Sequence, residues 1–316
     1  MKTQTQTQTL TSKKRKKRLT QYDLQMYSLL IIPLLLVFVF SYLPMVGIVI
    51  AFKNYKYDLG IFGSEWVGLR NFEFFFKSDV FARITWNTLS MNFMFILFGT
   101  VISILFAILL FELKSRIGIK TFQTVMISPH FISWVIVAYM VYALLNSQYG
   151  IVNSIRSSMG LEKIDWYRRA EFWPVILVIS NVWKTFGMNC VMYYAALMGI
   201  DSSMFEAAEI DGANKVQVIG SIVLPMLVPM ITILTIMSIG NIFRADFGLF
   251  YNVPRNIGML YKTTDVIDTY IFRTMREVGD MGMSSAVGLL QSVVGMVLVI
   301  VTNTTVKKID ADSALF

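Results

Sequence analysis

Long apolar stretches, separated by short polar segments, set the pattern of this chain. Six of them, near positions 27–52, 87–111, 121–145, 173–198, 222–245 and 284–306, are long enough to span a bilayer. About 20 apolar residues suffice, because about 30 Å of hydrocarbon is crossed at about 1.5 Å per residue. The pattern predicts an all-α polytopic membrane protein with six transmembrane helices. Pro33 and Pro44 fall inside the first stretch and predict a kink there. That stretch is too long for the apolar part of a secretory signal and has no Ala-x-Ala site, so it reads as an uncleaved first span.

Composition points the same way. The 316 residues are 55% hydrophobic and 15% charged, where soluble domains run near about 45–50% and about 25%. This argues against a soluble enzyme or a disordered chain. The single Cys190 rules out an intrachain disulfide framework. Much of the net charge of +8 sits in Lys13, Lys14, Arg15, Lys16, Lys17 and Arg18. Such a run beside an apolar stretch suits a membrane surface rather than nucleic acid. Lys and Arg next to the first span favour the cytoplasmic side. Six spans then place both termini in the cytoplasm. The expected organisation is a basic tail (1–26), a membrane domain (27–306) and a short tail (307–316). The Thr-Gln tract at 3–9 reads as a disordered tail. The aromatic segment 54–86, with Tyr57, Phe62, Trp66 and Phe76, reads either as an interfacial belt or as a docking surface for an external partner.

The polar segment 201–225, between the fourth and fifth stretches, is the most informative. Ser203 and Glu206 have the spacing of a capping box, and Ala207 and Ala208 favour helix. Asp211-Gly212 can end that helix, because Gly tolerates a left-handed turn. A second helix from about Ala213 then leads to Pro225. Met204, Phe205, Ala208 and Ile210 give the first helix an apolar side, while Glu206, Glu209 and Asp211 are acidic. Such a helix fits a groove of another protein, or serves as an interfacial connector.

Glu206-Ala207-Ala208, three residues, Gly212, nine residues and Ile222-x-Leu224-Pro225 resemble the EAA loop of ATP-binding-cassette importer permeases. Further segments resemble the carbohydrate, LplB-like branch of that family. They include Ser180-Asn-Val-Trp-Lys-Thr-Phe-Gly187, Asp265-Val-Ile-Asp-Thr-Tyr270, Ala286-Val-Gly-Leu289, Glu65-Trp-Val-Gly68 and the terminal Leu315-Phe316. Asp201-Ser202 departs from the more usual Asp-Pro. The resemblance implies the type I importer permease fold, with 201–225 as a cytoplasmic coupling helix seated in an ATPase. Phe205, Glu206, Ala207, Ala208, Asp211, Gly212, Leu224 and Pro225 are the implied coupling residues. It also implies a second permease in a heterodimer, two ATPase subunits that carry ATP and Mg, and an extracellular or periplasmic sugar-binding protein. The implied function is ATP-driven import of oligosaccharides across the bacterial cytoplasmic membrane.

The chain has no Gly-x-x-x-x-Gly-Lys-Ser/Thr loop and only one histidine, so it is not expected to be an enzyme or to bind a cofactor or metal itself. Polar residues inside spans are costly and mark candidate path positions. Asn181, Lys184, Thr185 and Asn189 share one face of the fourth span at about 100° per residue. That face reads as path lining or as helix–helix contact. Asn241 and Arg244 end the fifth stretch at its outer mouth and complete the candidate path set. The rival class is an ion-coupled secondary transporter. It would call for intramembrane carboxylates or inverted repeats, and apart from Glu112 and Asp246 at their edges the stretches lack acids.

Overall fold

The computed structural model describes residues 21–77, 79–309 and 314–315. The basic run, the Thr-Gln tract and Phe316 lie outside the described residues. Contacts divide the chain into two units, 1–49 and 50–316. In the first, helix α1 (Gln21–Val37) is followed by a π-helical turn at Phe38–Tyr42 and by 3-10 helix at Leu43–Phe52. Pro44 has no N–H to offer the carbonyl four residues back, and the ladder shifts register so that Leu43 N donates to Phe38 O. At Pro44 the predicted kink is thus a change of helical winding, whereas Pro33 sits inside α1 without interrupting it.

The second unit is mostly helical, with one two-residue antiparallel pairing, Lys53↔Trp66 and Asn54↔Glu65. Its membrane helices are α2 (Phe81–Phe111), α3 (Arg116–Ile127), α4 (Trp134–Leu145), α5 (Trp173–Leu197) and, after the shorter α6 (Ser202–Ile210) and α7 (Lys215–Val218), α8 (Leu224–Gly240). Short helices α9 (Phe247–Asn252) and α10 (Ile267–Arg273) precede the last, α11 (Met281–Ile309). Among the described residues, 5 continuous helical runs are long and apolar enough to cross a membrane: Gln25–Phe52, Phe81–Phe111, Ala170–Leu197, Lys215–Gly240 and Met281–Lys308.

The expected third span, 121–145, is not one helix. Arg116–Phe131 and Trp134–Leu145 meet at 97°. Pro129 sits in a 3-10 turn at Ser128–Phe131, Ile132 and Ser133 are extended, and the Ser133 hydroxyl accepts the Ile136 amide at 3.4 Å to start α4. Backbone groups freed by such a break must be satisfied inside the membrane. The Lys184 ammonium from α5 does this, donating to the carbonyls of Pro129 (3.3 Å), His130 (2.6 Å) and Ile132 (2.5 Å).

The core lies along α2 and α5. Toward the start of α5, Trp173, Leu177, Leu249, Phe250 and Leu260 bury one cluster. Toward its end, Ala107, Leu110, Cys190, Leu197 and Leu227 bury another. Ile84, Ile267 and Met283 form a third. Where α3 gives way to the break, Gly187 lets the chains touch: a Cβ there would lie 1.8 Å from Met126 O. Small residues allow this backbone approach between membrane helices.

Candidate functional site

The segment 201–225 folds as an elbow. Helix α6 starts at Ser202, one residue before the capping hydroxyl expected at Ser203. The cap is Asp201, whose carboxylate accepts the Ser203 amide at 2.9 Å. That amide holds the Asp201 carboxyl below its usual range. A carboxylate also suits the positive end of a helix, and it takes the capping role expected of the hydroxyl. Gly212 closes α6 with φ +72°, a left-handed conformation that costs an L-residue about 1–2 kcal/mol. The capping box lies one turn later: Asn214 Oδ1 accepts the Gln217 amide at 3.0 Å and Gln217 Oε1 accepts the Asn214 amide at 2.8 Å. Leu224 and Pro225 then open α8, after a π-helical turn at Ile219–Val223.

Two anchors fix this elbow to the end of α2. The Phe205 ring lies 5.5 Å from Phe111, and Lys215 pairs with Glu112. Phe205 also packs on the buried cluster of Leu110, Leu197 and Val223. The remainder of α6 turns outward. Glu206, Ala207, Glu209 and Asp211 are exposed, and Ile210 and Val216 are 86% and 79% exposed. The expected apolar side is thus divided: Phe205 and Ala208 face the bundle, while Met204 and Ile210 do not. The elbow is held on one face and exposed on the other, with acids interleaved with apolar residues.

The candidate path residues divide as well. Asn181, Asn189, Asn241 and Arg244 line a cavity of about 440 Å³ between α2, α5 and α8. Lys184 and Thr185 do not. Lys184 is 9% exposed and is occupied by the carbonyls of the broken span, and Thr185 donates its hydroxyl back to Asn181 O at 2.8 Å. The helical-face reading placed them correctly on α5 but could not see the break that claims the ammonium. The cavity adds residues that the sequence reading missed, Asn92, Thr100 and Ser238, and it includes Asp246, which that reading had placed at the outer mouth. Asn92 could have been noted by the in-span polarity that singled out Asn181. Its amide donates to Ile242 O (2.8 Å) and Arg244 O (3.0 Å), closing the end of α8. Amides, hydroxyls, the Arg244 guanidinium and the Asp246 carboxylate share this wall with apolar side chains, a mix of donors and acceptors that can meet hydroxyl groups.

The segment 265–270 secures the far end of the bundle. The Asp265 carboxylate accepts Arg273 at 2.7 and 2.8 Å, its carbonyl accepts Asn87 at 2.9 Å, and the Ile267 amide donates to Thr88 at 3.0 Å. Asp268 accepts the Ala245 amide at 2.7 Å and Gln291 at 3.3 Å. Trp134, first residue after the break, donates to Asp246 at 2.6 Å. The broken span is thereby tied to the cavity rim.

This architecture is that of a transport permease. A family model described as binding-protein-dependent transport system inner membrane component matches residues 99–310, and the chain belongs to that family. Protein LplB of Bacillus subtilis (strain 168) is 33% identical over 92% of this chain and 91% of its own length. The polygalacturonan/rhamnogalacturonan transport system permease protein YteP of the same organism is 34% identical over 85% of this chain and 83% of its own. Among solved structures, a chain of the bacterial alginate ABC transporter, in complex with alginate pentasaccharide-bound periplasmic protein, matches with a TM-score of 0.82. The two are 33% identical, and the match covers 92% of this chain and 96% of that one.

Proposed function

We propose that this chain is the permease subunit of an ATP-driven importer that carries oligosaccharides across the bacterial cytoplasmic membrane by alternating access. The observation that carries the reading is the elbow at 201–225, fastened to the bundle by Phe205 and Lys215 while its acidic and apolar outer side stays exposed. In this proposal α6 seats in a cytoplasmic ATPase, which holds ATP and Mg. Gly212 keeps the angle between α6 and α7. Glu206, Ala207 and Asp211 meet the ATPase surface, and Leu224-Pro225 passes the movement to α8. Both termini then lie in the cytoplasm.

A second permease subunit, two ATPase subunits and an external sugar-binding protein complete the assembly. The polar cavity with Asn181, Asn189, Asn241 and Arg244 is the proposed path on this side of the dimer. Closure of the ATPases draws the elbows together and opens the path outward. The binding protein releases its sugar, and hydrolysis returns the helices. The chain itself makes and breaks no covalent bond.

Reconstitution tests this directly. Proteoliposomes with the whole assembly are expected to take up oligosaccharide only with internal or external ATP on the ATPase side and with the binding protein present. Uptake by vesicles that hold this chain alone, driven by an ion gradient, would contradict the proposal and favour a secondary transporter.

A further inference from the structure

At the end of α5 away from the elbow, two cavities of about 210 and 270 Å³ adjoin and share Arg255 and Tyr142. Each alone falls below the roughly 300 Å³ at which small-molecule sites begin, but together they exceed it. The first adds Tyr139, Tyr251, Asn252 and Asn256; the second adds Asn146, Asp165 and Tyr167. None of these residues enters the transport reading above.

Three observations mark this place as built to hold a ligand. Arg255 and Asn256 carry φ of 59° and 50°, the only non-glycine residues among those described with left-handed backbone. Such strain persists where surrounding contacts hold it and gathers at ligand sites. Tyr261 supplies that hold, donating its hydroxyl to Asn256 Oδ1 at 2.8 Å. Second, the turn lays the Arg255 guanidinium over the Tyr142 ring at 4.3 Å, and no described carboxylate forms an ion pair with it. Asp165, in the adjoining cavity, is paired with Arg168 at 3.4 Å. Third, the Tyr167 hydroxyl is buried and has no hydrogen-bond partner, although its ring is 5.6 Å from Tyr142 and the residue is only 9% exposed. Buried polar groups are nearly always paired, so an orphaned hydroxyl at a cavity wall is a donor awaiting an acceptor. Burial pushes this phenol up to about 12, so it keeps its proton at neutral pH.

Resting on the importer reading, we infer that these cavities form a saccharide subsite on the external face that selects a carboxylated sugar unit. The unit lies on the Tyr139, Tyr142 and Tyr251 side, and its carboxylate meets Arg255. A planar guanidinium already placed over an aromatic ring matches a carboxylate with two parallel hydrogen bonds. The next unit reaches the second cavity, where Tyr167 donates to a hydroxyl or ring oxygen. Asp165, already paired with Arg168, accepts from a hydroxyl there.

The test uses the full chain in detergent micelles, with trigalacturonate and its carboxyl-reduced, uncharged counterpart titrated by calorimetry. Wild type is expected to bind the acidic trisaccharide about tenfold more tightly, in line with a charge-assisted pair. Arg255→Gln should abolish that preference and leave the neutral trisaccharide unchanged. Tyr167→Phe should weaken both by about threefold to tenfold, the scale of one hydrogen bond, without lowering the melting temperature. No binding of the acidic trisaccharide, equal binding of the two by wild type, or an unchanged preference in Arg255→Gln would overturn the subsite. ATP-driven uptake of neutral oligosaccharide is read separately. Its persistence alongside any of those results leaves the importer reading standing and removes the subsite alone.

Discussion

Asp268 shows how much one side chain can hold. Its carboxylate receives the Ala245 amide just past the end of α8 and the Gln291 amide from α11, so two helices meet on one oxygen. Burial is the main influence on this carboxyl and pushes it above its usual range, against those hydrogen bonds. The folded chain therefore keeps this proton to higher pH than the unfolded chain, whose aspartates titrate near about 3.9. Stability falls as pH rises from there through the folded value, and the contribution is constant above it. Melting of the detergent-solubilised chain is expected to show this fall. Asp268→Asn, which keeps an acceptor oxygen for Ala245, should flatten it. Parallel curves for the two proteins would contradict the assignment. At this scale the sequence was a partial guide. It marked Asn181, Asn189, Asn241 and Arg244, which do share a cavity, but also Lys184 and Thr185, which do not. Polarity in a span reveals that a partner must exist and is silent about which one, because the carbonyls that Lys184 meets lie more than 50 residues away.

Elements carry the next level. Five of the six apolar stretches are continuous spans with ends within several residues of those expected, because span length follows from bilayer thickness. The break in the remaining one was hidden. Hydropathy measures apolar content, and both halves remain apolar across a 97° turn; Pro129 alone hinted at it. Lys184 acts there as the cap of α3's extension. Lys184→Met would take this donor from the His130 and Ile132 carbonyls, while Pro129 O keeps the Ile132 amide at 3.2 Å, at a cost of about 1–3 kcal/mol. The expected outcome is a lowered melting temperature with unaltered oligosaccharide affinity. Unaltered melting with a changed affinity would instead return Lys184 to the transport path. The elbow was legible in more detail. Its two helices and its turn at Gly212 follow from capping and left-handed preferences. The cap moved from Ser203 to Asp201, the capping box lies at Asn214 and Gln217, and the apolar side of α6 is divided between bundle and exterior.

Considered whole, the molecule leaves much apolar surface uncovered. Leu97, Val101 and Leu105 of α2 and Val297, Ile300 and Val301 of α11 remain exposed. Lipid suits that surface, and so would the second permease subunit proposed above. The family, visible in the EAA spacing, extends over residues 99–310. The strained turn at Arg255 and the orphaned Tyr167 had no signal in the sequence. Both depend on backbone geometry and burial, which residue order alone does not display.

The central claim is that the elbow transmits the work of a separate ATPase. Uptake and ATP hydrolysis, measured together in proteoliposomes holding the full assembly with Gly212→Pro, test it most directly. Proline fixes φ near about −65°, and so cannot take the φ of +72° found at this turn. The account predicts a chain that still enters the membrane and an assembly that hydrolyses ATP with little or no sugar uptake. Uptake at the wild-type rate per ATP consumed would contradict it.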